Sequence, residues 1–156
     1  MVVWITGASS GIGEALAREY SKKGADLILS SRRIHELERV AKSCDGNPDK
    51  IKILPLDLLE SDQANIWVKD AIDLFGSIDI LINNGGIGHL GDVVKMSSEV
   101  ERQVMETNFW GHVNISKALL PHLIEKNTGS IVTIGSILGA FGSPGLAAYS
   151  ASKHAL

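Results

Sequence analysis

The amino-acid sequence predicts an α/β fold, a doubly wound parallel sheet, on three observations. Short apolar runs without polar alternation recur along the chain; each is followed by a stretch of helical apolar spacing; and a cluster of glycines separates the first run from the first helix. Residues 2–6 are the first run, continuous as in a strand buried on both faces, and the segment from Gly7 to Gly13 punctuates it. Ile12, Ala15, Leu16 and Tyr20 then share one helical face, and Gly24 is a good stop before a second strand at residues 25–29. A helix over about residues 33–43 leads to a strand at 51–56, and another over about 62–75 leads to a strand at 78–83. Ser98 and Glu101 form a capping-box pattern that opens a long helix towards Ile124, with a kink expected at Pro121. Residues 130–136 form the fifth strand, and Pro144 with Gly145 marks a loop.

This alternation demands parallel pairing with right-handed crossovers, so the expected sheet is Rossmann-like with strand order 3-2-1-4-5. Ligands should gather at the carboxyl ends of its strands. No internal repeat and no Pro- or Ser-rich linker divides the chain, so residues 1–156 read as one domain.

With 44% hydrophobic and 21% charged residues in 156, the chain can bury one core. A net charge of -3 gives no basic surface for nucleic-acid phosphates, so nucleic-acid binding is disfavoured. Cys44, the only cysteine, has no internal disulfide partner and fits a reducing compartment or an idle side chain. No run reaches the ~18 apolar residues of a membrane span, and Val2-Val3-Trp4-Ile5 follows Met1 without a charged leader. A soluble chain is expected; a longer form could carry an upstream anchor.

The run Thr6-Gly7-Ala8-Ser9-Ser10-Gly11-Ile12-Gly13 lies between strand and helix, where glycines let backbone approach a pyrophosphate at the helix's positive end. Its G-x-x-x-G-x-G spacing suits either a tight turn or a nucleotide cradle, and the strand-to-helix context favours the cradle. Beyond the second strand, a carboxylate would hold the ribose diol of NAD, but Ser30-Ser31-Arg32-Arg33 stands there. They could simply form a solvated helix start, but two arginines there oppose its macrodipole unless an anion compensates, so a 2′-phosphate, and hence NADP, is the expected reading. Asp57 after the third strand, followed by Leu58, could accept from the adenine amino group or simply form a turn. After the fourth strand, Asn83-Asn84-Gly85-Gly86 offers amides that can tie loops together and a Gly85 that can admit a ribose, or else a plain turn.

Tyr149 and Lys153 are spaced i, i+4 and so project from one face of a helix, a pattern that ordinary helix surface also shows and that gains weight from the strand end upstream. A neighbouring ammonium stabilises phenolate, which makes a tyrosine usable as an acid/base near neutrality. Ser136, at the end of the fifth strand, can begin a turn or hydrogen-bond a substrate carbonyl; no acid-His-Ser arrangement surrounds it, so in the second role it polarises rather than attacks. Asn108, inside the long helix, is either solvent-exposed or a buried amide that needs partners. His35, His89, His112, His122 and His154 show no ligand-like spacing; surface or satisfied core positions are expected for them, and no metal.

Together the glycine run, Asp57, Asn83-Asn84-Gly85-Gly86, Asn108, Ser136 and Tyr149-Ser-Ala-Ser-Lys153 resemble the short-chain dehydrogenase/reductase family over the whole chain. Asn-Asn-Gly-Gly in place of the commoner Asn-Asn-Ala-Gly, Ser136-Ile-Leu-Gly and Ala151-Ser-Lys-His-Ala-Leu look like its member 7 subgroup. The resemblance implies an NADP-dependent oxidoreductase that interconverts a carbonyl and a secondary alcohol by hydride transfer, on lipophilic substrates such as steroids or retinoids. It implies that Tyr149 exchanges a proton with the substrate oxygen, that Ser136 orients that oxygen, that Lys153 also binds the nicotinamide ribose, and that Asn108 supports a proton-relay water. It places Gly7, Ser9, Ser10, Gly11, Ile12, Gly13, Arg32, Arg33, Asp57, Leu58, Asn83 and Gly85, with Tyr149 and Lys153, at the cofactor. Ser10 departs from NADP-using relatives that carry a basic residue there, which leaves more of the phosphate recognition to Arg32 and Arg33.

By the same resemblance, further strands and a substrate-binding region follow Leu156, so the 156 residues alone are expected to be a C-terminally truncated, poor catalyst with an unpaired fifth-strand edge. An intracellular location is expected, with the endoplasmic reticulum membrane for a longer form by resemblance only. A homo-oligomer could form through the long helix and the catalytic helix. The rival function is a nucleotide-binding or regulatory protein without redox chemistry; the intact Asn, Ser, Tyr and Lys set favours the enzyme.

Overall fold

The computed structural model describes residues 1–45 and 47–156. In chain order it contains β1 (Val2–Thr6), α1 (Gly11–Lys22), β2 (Asp26–Ser30), α2 (Ile34–Ser43), β3 (Ile51–Ile53), α3 (Ala64–Phe75), β4 (Ile80–Asn83), α4 (Ser98–Met105), α5 (Gly111–Lys126), β5 (Ser130–Thr133) and α6 (Ala147–Ala155). The strands pair in parallel in the order β3-β2-β1-β4-β5. The order reverses between β1 and β4, and the crevice at that switch point is where a ligand sits in such sheets.

Successive residues of a strand point to opposite faces, and here both faces are covered. Val3 and Ile5, with Leu27, Leu29 and Ile82, pack under α1 and α2 through Ala17, Leu37 and Val40. Val2 and Trp4, with Ile28 and Leu81, pack under α3 and α5 through Trp67, Val68, Ala71, Ile115 and Leu119. Two buried faces explain why the runs in the sequence are continuous rather than alternating. Burial of each large side chain stabilises the fold by about 1.5–3 kcal/mol. Trp4 is fully buried, and its indole N–H donates to Ser30 Oγ at 2.8 Å, so its polar atom is satisfied.

Several boundaries differ from the sequence expectation. β3 stops at Ile53 rather than residue 56; Leu54 and Leu56 still donate to Leu29 and Ser31 carbonyls at 3.0 and 3.3 Å, and Pro55 between them turns its missing N–H to the free edge of the sheet. β5 stops at Thr133 rather than residue 136, since its pairing partner β4 ends at Asn83 and only the Ile134 N–H reaches beyond, to Asn83 O at 2.9 Å. β4 itself begins at Ile80, not residue 78, and α2 begins at Ile34 with Arg33 as its N-cap. A one-turn 3-10 helix, Ser61–Gln63, precedes α3.

The long helix departs most. Its N-cap is Ser97, whose Oγ accepts the Val100 N–H at 3.4 Å, so the capping box expected from Ser98 and Glu101 is off by one residue. Glu99 and Glu101 instead place carboxylates in the first turn, where they suit the helix dipole. Between α4 and α5 lies a π-helical turn, Glu106–Trp110, in which the Gly111 N–H bonds the Glu106 carbonyl five residues back. The irregularity thus falls on the segment that carries Asn108, while α5 runs on through Pro121 to Lys126.

Candidate active site

A cleft of about 360 Å³ opens at the carboxyl ends of β1, β2 and β4. One wall is the loop after β1, with Gly7, Ser9, Ser10 and Ile12; the mouth carries Ser31, Arg32 and Arg33; the far wall carries Leu56, Asp57, Leu58 and residues 84–87, with Thr107 beneath. The loop has its shape for two distinct reasons. Gly7, at φ +65°, lies so close to the next loop that an added Cβ would stand 2.6 Å from Gly85 Cα. Gly11, at φ +59°, has open space around it, and its need for glycine is one of backbone conformation at the helix entrance. Gly11 and Gly13 shape the loop without lining the cleft.

The loops on either side of the switch point are bonded to each other. Thr6 Oγ1 accepts the N–H groups of Asn84 and Gly85 at 3.0 and 3.1 Å, and Asn84 Nδ2 donates to the carbonyls of Thr6 and Gly7 at 3.0 and 3.2 Å. At the mouth, Arg33 donates through Nη2 to Ser9 Oγ and Ser10 Oγ at 3.0 and 2.8 Å. Arg32 Nη1 lies 3.8 Å from Asp57 Oδ2. Ser10 therefore contributes to the mouth by holding a guanidinium where a basic residue could have stood.

Asn83 requires a correction: its side chain does not face the cleft. It is buried on the other side of the strand end, where Nδ2 donates to Ser116 Oγ at 2.8 Å and Oδ1 has no partner among the described residues. An asparagine ending a fully buried strand alternates inward by the pleat, and its neighbour Asn84 reaches the loop instead. Sequence reasoning also omitted Ser31, Leu56, Asn84, Gly86, Ile87 and Thr107 from the cofactor set; Ser31, Asn84 and Gly86 lie inside motifs it used, and the others adjoin motifs without a residue type that signals a ligand.

Asn108, Ser136, Tyr149 and Lys153 lie outside the lining of this cleft and follow on from its inner end. The Tyr149 ring borders the loop after Gly86, since a Cβ on Gly88 would be 3.9 Å from Tyr149 Cδ2. Lys153 is buried, with Nζ 6.0 Å from the centroid of the Tyr149 ring and donating to Ile134 O at 2.9 Å, two residues before Ser136. Burial pulls the Lys153 ammonium below its ordinary pKa. Ser136 Oγ accepts the Leu138 N–H at 3.2 Å, which leaves its own proton free to donate. The helix α6 and the short helix after Ser136 pack closely: a Cβ on Gly139 would stand 2.5 Å from Lys153 O.

Asn108 is fully buried with partners, the second of its two sequence readings. Oδ1 accepts the Ile87 N–H at 2.8 Å, and Nδ2 donates to Ile87 O at 2.8 Å and Ser152 Oγ at 3.0 Å. Its side chain is thus a clamp between the cleft loop, the π-helical turn and α6. Among the histidines, His112 departs from a satisfied core position: it is buried with Nδ1 unpartnered among the described residues.

A model of the family described as short chain dehydrogenase matches residues 1–156. This chain belongs to that family. Short chain dehydrogenases are oxidoreductases that use nicotinamide cofactors, and the cleft lies at the switch point where sheets of this order hold a ligand. The whole of this short chain dehydrogenase is similar to Dehydrogenase/reductase SDR family member 7 of Homo sapiens, 49% identical over 160 residues and covering 47% of that protein. It is 45% identical over 159 residues to Dehydrogenase/reductase SDR family protein 7-like of Drosophila melanogaster, with 99% of this chain and 49% of that protein covered. The chain spans about half the length of the curated relatives it matches. A solved alcohol dehydrogenase from the archaeon Thermococcus sibiricus, complexed with 5-hydroxy-NADP, superposes with a TM-score of 0.90 at 29% identity, over 99% of this chain and 66% of the other. Among the described residues no helix is long and apolar enough to cross a membrane.

Proposed function

We propose that the chain is the cofactor-binding and acid/base part of an NADP-dependent oxidoreductase that interconverts a carbonyl and a secondary alcohol, with lipophilic substrates such as steroids or retinoids. The observation that carries this reading is the Lys153–Tyr149 pair set beside the inner end of a glycine-walled cleft whose mouth holds two arginines. The cleft fits a dinucleotide: Gly11 leaves open space at the start of α1, where a helix N-terminus favours a pyrophosphate, and Arg32 and Arg33 stand where a 2′-phosphate would lie.

When bound, the dinucleotide supplies or accepts the hydride. The Tyr149 hydroxyl gives its proton to the substrate oxygen in reduction and takes it back in oxidation. Lys153 holds positive charge beside the ring and retains donors for ribose hydroxyls after bonding Ile134 O. Ser136, already accepting from Leu138, donates its free proton to the substrate oxygen and orients it. Asn108 sets the position of Ser152 and so of α6.

The test uses a form of the protein extended to the length of its relatives. It is expected to bind NADPH more tightly than NADH and to oxidise NADPH with lipophilic ketones or aldehydes. Equal dissociation constants would remove the NADP assignment, and binding without turnover across a broad carbonyl panel would favour a regulatory protein.

A further inference from the structure

The start of α5 lies inside the fold. Gly111 is pressed on the loop before α3 so tightly that an added Cβ would stand 2.8 Å from Leu58 O, and His112 beside it is 1% exposed. The His112 Nε2 lies 2.6 Å from the Gly85 carbonyl oxygen. A carbonyl only accepts, so Nε2 carries the proton, and in a neutral ring Nδ1 is then bare. The surroundings favour that neutral ring. Burial above all, with the Lys153 ammonium adding to it, pushes the His112 pKa down to about 4 against the contact with Gly85, which raises it.

Gly85 is bound from both sides, its N–H by Thr6 Oγ1 and its carbonyl by His112. The peptide joining it to Gly86 is trans, so the Gly85 C=O and the Gly86 N–H point in opposite directions. With the carbonyl drawn inward, the Gly86 N–H turns outward. Gly86 lines the cleft, and its N–H has no acceptor among the described residues.

We propose that His112 is a positioning residue of the cleft: its Nε2–H fixes the Gly85–Gly86 peptide so that the Gly86 N–H stands as a donor to an oxygen of the bound dinucleotide. This rests on the reading of the cleft as a dinucleotide site. The fixed peptide belongs to the wall after β4, away from the arginines at the mouth, so it serves NADPH and NADH alike.

The test measures dissociation constants for both dinucleotides, and the melting temperature, for the extended protein and its His112→Leu and His112→Gln variants. The folded His112→Leu variant is expected to bind both dinucleotides about tenfold more weakly, and His112→Gln, which keeps an N–H donor, to recover part of the loss. Binding by folded His112→Leu within twofold of the unmutated protein, or weakening of NADPH alone, overturns the proposal. An unmutated protein that binds neither dinucleotide overturns the dinucleotide reading and this one with it. If His112→Leu does not fold, the imidazole nitrogen shifts of the unmutated protein decide: a neutral Nε2–H tautomer at neutral pH is expected, and an Nδ1–H tautomer overturns the proposal.

Discussion

Around the glycine loop, backbone meets backbone: Gly7 touches Gly85, Asn84 bridges the carbonyls of Thr6 and Gly7, and β1 and β2 beneath are almost wholly buried. Around α6, polar bonds of single side chains, Asn108 to Ser152 and Lys153 to Ile134 O, tie the acid/base helix to its neighbours. At Gly7 the first region has no room for an added atom. In the second, each of these links rests on one polar group. Substitutions that add a methyl group should therefore act through folding in the first region, and substitutions that remove a polar atom should act through chemistry in the second.

The largest effect belongs to the second region. Tyr149→Phe removes one hydroxyl and nothing else, so steady-state turnover of the extended protein should fall by about 10²- to 10⁴-fold while NADPH affinity stays within about twofold. Near-parental turnover would show that the acid/base group lies elsewhere. In the first region, Gly7→Ala combines a left-handed backbone with overlap against Gly85 and should cost about 2–4 kcal/mol in urea unfolding. Gly11→Ala, with open space around it, should cost only the ~1–2 kcal/mol of its backbone conformation. Equal losses from the two would erase the distinction between close approach and conformation.

A smaller effect is expected at the mouth. Arg33→Ala removes the guanidinium held by Ser9 and Ser10 and should lower the NADPH-over-NADH preference by about tenfold, with NADH affinity nearly unchanged. A preference that survives the substitution would shift the phosphate contact to Arg32. The smallest lies at the opposite end of β4, where Asp79 is held below the usual carboxylate range by its bond from Lys126 and, after that, by the Val2 N–H. A depressed folded pKa stabilises above the unfolded value of about 3.9 and is lost as pH falls through the folded one. Asp79→Asn should therefore lose stability at neutral pH, by less than about 1 kcal/mol for so exposed a pair, and the gap should close on acidification. Cofactor affinity should not move.

The same contrast decides what the sequence alone could reveal. The strand order and both helical layers were legible, because two-sided burial writes continuous apolar runs and glycines mark the turn between β1 and α1. The mouth was legible from Ser9, Ser10, Arg32 and Arg33, charged or small residues with few other reasons to stand together. Asn83 was misassigned to the cleft because adjacent asparagines are indistinguishable until the pleat decides which one turns inward. The Asn108 clamp and the His112 contact join positions far apart in the chain, and no local spacing encodes the partner that a buried amide or imidazole will find.

The π-helical turn has one more consequence, which lies in counting. Val104, Asn108, His112, Ile115, Leu119 and Leu123 are all buried, and they take nineteen residues to make five steps down the helix. Five turns of regular α-helix need only about 18. The extra residue is absorbed between Glu106 and Trp110. Deleting any one residue there would let a regular ladder close, but it would also rotate everything before it by about 100° about the axis, carrying Val104 out of the interior. Length in this segment is thus as strictly specified as residue type. Such a deletion would act as a frameshift of the helix face: the backbone hydrogen bonds would survive it, while the apolar stripe of α4 would turn towards water.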